Sequence, residues 1–115
     1  MLTASVYADM ATARTVVSSR ARIDGLHPPV PWDAGQVYGL GWFVVSYRGF
    51  GVLTHSGGMD TAGTEIYLVP ELGFGVTTMA NTAVSANAVG EVLAWKIIDD
   101  RLGVPEGERF DWEAK

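Results

Sequence analysis

The run Tyr38-Gly39-Leu40-Gly41-Trp42-Phe43-Val44-Val45-Ser46-Tyr47 constrains the fold more than any other stretch of the chain. Its aromatic and β-branched residues mark a strand. Both parities are apolar, with Trp42 and Val44 on one side and Phe43, Val45 and Tyr47 on the other. A strand that is greasy on both faces belongs to a sheet covered on both sides. Arg48-Gly49-Phe50-Gly51 reads as a turn, and Val52 to Ser56 returns as the second strand of a β-hairpin. Thr64 to Val69 alternates as a third strand. Pro70-Glu71-Leu72-Gly73 turns the chain, and Phe74 to Ala80 makes a fourth. The spacing predicts an antiparallel meander of about four strands.

From Ala83 to Leu102 the period becomes helical, with Val84, Ala88, Val92, either Trp95 or Leu93, Ile98 and Leu102 on one stripe. Asn81, Thr82 or Ser85 can cap its start, and Gly103 with Pro105 ends it. A shorter helix runs from Thr3, a candidate N-cap, to Ala13, with Tyr7 and Met10 read as core contacts. Between Thr15 and Gln36 periodicity disappears into Pro- and Gly-marked loop, where Trp32 reads as an aromatic anchor. After Pro105 the tail is polar apart from Phe110 and Trp112, which pin it down. The reading is a single α+β domain: helix and loop over 1–36, sheet over 37–81, helix over 82–103 and tail over 104–115. The long terminal helix covers one sheet face. The first helix is too small for the other, so a further helical region, or self-association through the uncovered face, is expected.

An apolar content of 48% in 115 residues suffices for one packed core. The net charge of -5 argues against nucleic acid, since phosphate binding needs clustered basic residues; Arg14, Arg20 and Arg22 read as a solvated loop. With no cysteine, disulfides, thiolate catalysis and Cys-based zinc sites are excluded. The start Met1-Leu2-Thr3-Ala4-Ser5 is unlike a signal peptide, and no apolar run is long enough for a bilayer. The expectation is a soluble chain with no membrane partner and an unassigned compartment, although a fragment would have lost its targeting sequence. His27 and His55, far apart in sequence, make a poor ligand set, so neither metal nor cofactor is expected.

Chemistry is concentrated in Leu53-Thr54-His55-Ser56-Gly57-Gly58-Met59. The pattern predicts a strand that runs into a flexible glycine corner, which leaves its amides bare to a ligand. An imidazole beside a hydroxyl and exposed amides can bind a carboxylate, relay a proton or polarise a carbonyl. Asp60 and Glu65 are read as a loop acid and a polar strand face. The plainer account of the same residues is a tight turn and a satisfied strand histidine.

These elements together resemble the C-terminal part of the serine β-lactamase and penicillin-binding-protein-like family, in its branch of class C β-lactamases, D,D-carboxypeptidases, D-aminopeptidases and esterases. The resemblance rests on Tyr38-Gly39-Leu40-Gly41-Trp42, His55-Ser56-Gly57-Gly58, Gly63, Val69-Pro70, Phe74-Gly75-Val76 and Ala80-Asn81-Thr82, in order over roughly residues 36 to 102. It implies a β-lactamase/transpeptidase-like fold and an amide or ester substrate, small molecule or peptide. It also implies roles for four residues. His55 contacts a substrate carboxylate or shuttles protons, Ser56 hydrogen-bonds the substrate, Gly57 leaves it room, and the Gly58 N–H is one oxyanion-hole donor. The family's Ser-x-x-Lys nucleophile motif has no counterpart, because neither Lys96 nor Lys115 follows a serine by three positions. Tyr7-Ala8-Asp9 is no substitute for the family's Tyr-x-Asn. The expectation is therefore the C-terminal portion of a serine hydrolase without its nucleophile region and inactive in isolation. The alternative is a non-catalytic binding module with the same sheet and helix.

Overall fold

The computed structural model describes residues 3–17, 36–82 and 84–112. Helix α1 (Ala4–Ala11) is followed by strands β1 (Thr15–Val17), β2 (Gln36–Tyr38), β3 (Phe43–Tyr47), β4 (Phe50–Met59), β5 (Ala62–Val69) and β6 (Phe74–Ala80), then by helix α2 (Val84–Leu102). The six strands form one antiparallel sheet in chain order. The α+β class, the meander and the long C-terminal helix are as the sequence implies; the strand number is six among the described residues, not four.

The extra strands come from two places. Residues 15–17 and 36–38 pair with each other at the margins of the stretch read as loop; Trp32, His27, Arg20 and Arg22 lie outside the described residues. The run from Tyr38 to Tyr47 is also not one strand. It breaks over residues 39–42, where Gly39 N–H donates to the Trp42 carbonyl at 2.8 Å and Gly41 takes φ 81°. Gly39 is required by close approach: a Cβ there would stand 2.7 Å from the Met10 carbonyl oxygen and 2.8 Å from that of Thr12.

Thr3 caps α1 as expected, its hydroxyl accepting from Val6 N–H. The helix buries none of its residues, so Tyr7, at 38% exposure, is not the core contact read from the sequence. Ser85 lies within α2 and is thereby excluded as its N-cap. The end of α2 follows the sequence closely. Gly103 adopts φ 68°, its N–H donates to the Asp100 carbonyl, and the Val104 N–H donates to that of Asp99, the paired bonds of a Schellman cap.

The core lies between α2 and one sheet face. Val45, Tyr47, Val52, Tyr67 and Val69 meet Ala94, Trp95 and Ile98, all buried, and Trp112 in the tail packs against this cluster. Trp95 rather than Leu93 occupies the stripe, and Ala88 is exposed. The Trp95 ring sits edge-on to Tyr47 at 4.8 Å and Tyr67 at 5.3 Å, and truncating such a residue to alanine costs about 3–5 kcal/mol. Asp99 is tolerated inside because the Tyr47 hydroxyl donates to its Oδ1 at 2.6 Å.

Candidate functional site

The two hairpins decide which way each peptide group of β4 points. Tyr47 pairs with Phe50 across Arg48-Gly49, and Met59 pairs with Ala62 across Asp60-Thr61. A two-residue hairpin is closed by a hydrogen-bonded pair, and along an antiparallel ladder such pairs alternate with pairs whose N–H and C=O turn away from each other. Counting from either turn gives one answer. Val52 and Thr54 direct their peptide groups to β3, while Leu53, His55, Gly57 and Met59 direct theirs to β5. Ser56 and Gly58 continue the first set, but β3 pairing stops at Phe43, opposite Thr54. Their N–H groups therefore face the edge that β3 leaves open.

This corrects the expected glycine corner. The turn is at Asp60-Thr61, and β4 runs straight through Gly57 and Gly58, which pair with Thr64 and Gly63. The alternation that begins the next strand extends back to Ala62 and gives the glycines a partner. Gly57 is thereby tied into the ladder, whereas Gly58 presents its N–H outward. Neither glycine has positive φ. A Cβ on Gly57 would meet nothing within 4 Å, and one on Gly58 only the Ala62 carbonyl oxygen at 3.8 Å. Nothing in the described residues requires glycine there, so the pair leaves open space along the edge.

His55 is half-buried and held at both ring nitrogens. Its Nδ1 lies 2.6 Å from the Ser56 carbonyl oxygen and its Nε2 3.1 Å from the Tyr38 hydroxyl. A carbonyl can only accept, so Nδ1 carries the proton and Nε2 of the neutral ring accepts from Tyr38. The Phe43 ring closes the group, 4.7 Å from Tyr38 and 5.7 Å from His55. Strand alternation sends the exposed Ser56 side chain to the face opposite His55. A ligand lying along the open edge, rather than over one face, is the arrangement that can meet both residues.

Beneath Ser56, on the α2 side, the ladder places Glu65 and then Thr78. Glu65 is 7% exposed, with the Tyr67 hydroxyl at 3.5 Å from its Oε2. Burial first, and then the neighbouring Glu91 carboxylate, push its carboxyl up to about 7, against a smaller opposing effect of the Tyr67 hydrogen bond. The reading of Glu65 as an ordinary polar strand face is corrected on this point. From α2, Asn87 Nδ2 donates to the Gly57 carbonyl at 3.3 Å. Tyr38 and Asn87 were not among the site residues read from the sequence. Each is brought to His55-Ser56-Gly57-Gly58 by pairing or packing across the fold, and no local spacing signals it. Among the described residues no group of three or more His, Asp or Glu side chains is placed to hold a metal ion, and no helix is long and apolar enough to cross a membrane.

Most of the chain is similar to one stretch of larger proteins that carry the name hydrolase. They are Unguisins hydrolase ungD of Aspergillus violaceofuscus (strain CBS 115571), 42% identical over 114 residues that make up 99% of this chain and 19% of that protein, and Unguisins hydrolase ungD' of Aspergillus campestris (strain IBT 28561), 44% identical over 82 residues, 71% of this chain and 15% of that protein. The chain thus spans less than a fifth of the length of these curated relatives. No family model matches it, and no solved structure matches it.

Proposed function

We propose that the chain is the C-terminal sheet-and-helix portion of a β-lactamase-like serine hydrolase that cleaves amide or ester bonds by acyl transfer, with the attacking serine on polypeptide outside residues 1–115. The observation that carries this reading is the outward Gly58 N–H on an edge whose glycines answer no steric demand. The names of the similar proteins support hydrolysis. In the reaction the serine oxygen adds to the substrate carbonyl carbon, its proton passing to a base. The carbonyl oxygen gains negative charge, the tetrahedral adduct collapses to acyl-serine with loss of the amine or alcohol, and water then releases the acid. The Gly58 N–H donates to the oxygen as it becomes charged. Such a donor is worth about 10²–10³ in rate, because a backbone dipole held by a sheet needs no reorganisation. His55, with Nδ1 already committed as a donor, takes up a proton only at Nε2, where Tyr38 stands.

Two measurements test the proposal. The 115-residue chain incubated with an activated ester is expected to keep its mass; a stable adduct on Ser56 or any other serine of the chain overturns the assignment of the nucleophile. In the polypeptide read in frame through Met1 from its transcript, a Ser-x-x-Lys serine is expected to carry the label. Gly58→Pro there removes the outward N–H without breaking a ladder bond and is expected to lower kcat about 10²–10³-fold with little change in KM. An unchanged kcat removes Gly58 from the mechanism.

A further inference from the structure

We infer that Asn87 is a positioning residue for the Gly58 N–H: it grips, from α2, the far end of the peptide group that presents the donor. The inference rests on the reading of Gly58 given above. The Gly57 carbonyl and the Gly58 N–H belong to one planar peptide unit and point in opposite directions. Whatever fixes the carbonyl therefore aims the N–H. By the register, the Gly57 carbonyl faces β5 and accepts from Thr64 N–H. Its second lone pair accepts from Asn87 Nδ2 at 3.3 Å.

Beyond Thr54 the strand has lost its β3 neighbour, so this peptide is held on one side only. A second bond to its carbonyl restricts rotation of the peptide plane where the sheet itself has become weakest. It also withdraws electron density through the amide, which strengthens the N–H as a donor. The orientation of the side-chain amide follows from chemistry, since the opposite orientation would set two oxygens against each other. Asparagine is otherwise a poor choice for this position. It is an indifferent helix former, and its Oδ1 is buried with no hydrogen-bond partner among the described residues. A residue kept for helix stability alone would be alanine or leucine; the bond to Gly57 is what asparagine adds.

The test separates the grip from the catalytic reading. In carbon- and nitrogen-labelled 115-residue chain, Asn87→Ala is expected to move the Gly57 carbonyl ¹³C resonance upfield and to shift the Gly58 amide, with the Trp95 core signals unchanged. In Asn87→Asp the same carbonyl signal is expected to return toward its original position as the pH falls and the acid becomes a donor. A side chain that merely fills space moves neither signal. In the full in-frame polypeptide, Asn87→Ala is expected to lower kcat roughly tenfold while KM changes less than about twofold, a fraction of the loss from removing the donor itself. If the Gly57 and Gly58 signals do not respond, the grip is refuted whatever the kinetics. If they respond and kcat does not, the grip exists but Gly58 is not the donor, and the positioning role falls with that reading.

Discussion

At the scale of single residues, burial separates two ionisable groups of neighbouring strands, His55 on β4 and Glu65 on β5. His55 keeps hydrogen bonds on both ring nitrogens at the edge, whereas Glu65 is pressed under α2 beside Glu91 with one long bond from Tyr67. The pH dependence of stability follows from Glu65. Its carboxyl titrates near 7 in the folded chain and near 4.5 when unfolded, so between these values the folded state holds a proton that the unfolded state has released. Stability attributable to this group is therefore greatest below about 4.5, falls as pH rises to about 7, and is level above that. Glu65→Gln removes the charge without removing the volume. Thermal melts are expected to show it raising the midpoint by roughly 5 °C at pH 8 and by little at pH 4.5. An equal effect at both pH values would mean that the carboxyl is not held protonated.

At the scale of elements, the contact of α2 with the end of the sheet depends on Gly90. A Cβ there would lie 2.3 Å from Thr78 Oγ1 and 3.3 Å from both Thr78 Cβ and Glu65 Cγ. Glycine costs a helix interior about 1 kcal/mol relative to alanine, yet overpacking at such a contact costs about 1–3 kcal/mol. Gly90→Ala is accordingly expected to destabilise the chain by about 1 kcal/mol in urea melts, despite the better helix propensity. In a Thr78→Ala background the obstructing hydroxyl is gone, and the same substitution is expected to stabilise. A non-zero coupling of that sign places the helix–strand distance under the control of this pair. Because Asn87 lies one turn before Gly90, that distance also sets the reach of the Asn87 amide to β4.

At the scale of the whole molecule, the two sheet faces are unequal. The face toward α2 holds the core, while the other carries Val44, Ile66 and Leu68 only half-buried and leaves Met79 78% and Val16 79% exposed. The matched stretches make up only 19% and 15% of the similar proteins. We therefore expect the isolated chain to associate through this face. Sedimentation velocity should show mass rising with concentration, and Val16→Lys with Met79→Lys should shift it toward monomer; a concentration-independent monomer would contradict the expectation.

Local pattern made some of this legible. The alternation of Thr64 to Val69, the helical period after Ala83 and the Gly103 stop each depend on neighbours within a few residues, and each stands where the sequence puts it. The break at Gly39 was not legible, because it answers the backbone of α1, nearly thirty residues away. The same holds at the site. His55, Ser56, Gly57 and Gly58 are adjacent in the chain and can be picked out together, although as a corner rather than as a strand. Which of their amides points outward depends on where β3 stops. The partnership of His55 with Tyr38, the burial of Glu65 and the grip of Asn87 come from strand pairing and helix packing over long separations.

By itself, then, the sequence determined the class of fold, the order of its main elements and the stretch of chain where chemistry is concentrated, because periodicity and turn residues act through local backbone preference. Only the tertiary structure decided the direction of each peptide group and the protonation of the groups around them, because a hydrogen-bond donor is aimed, and a charge desolvated, by atoms distant along the chain.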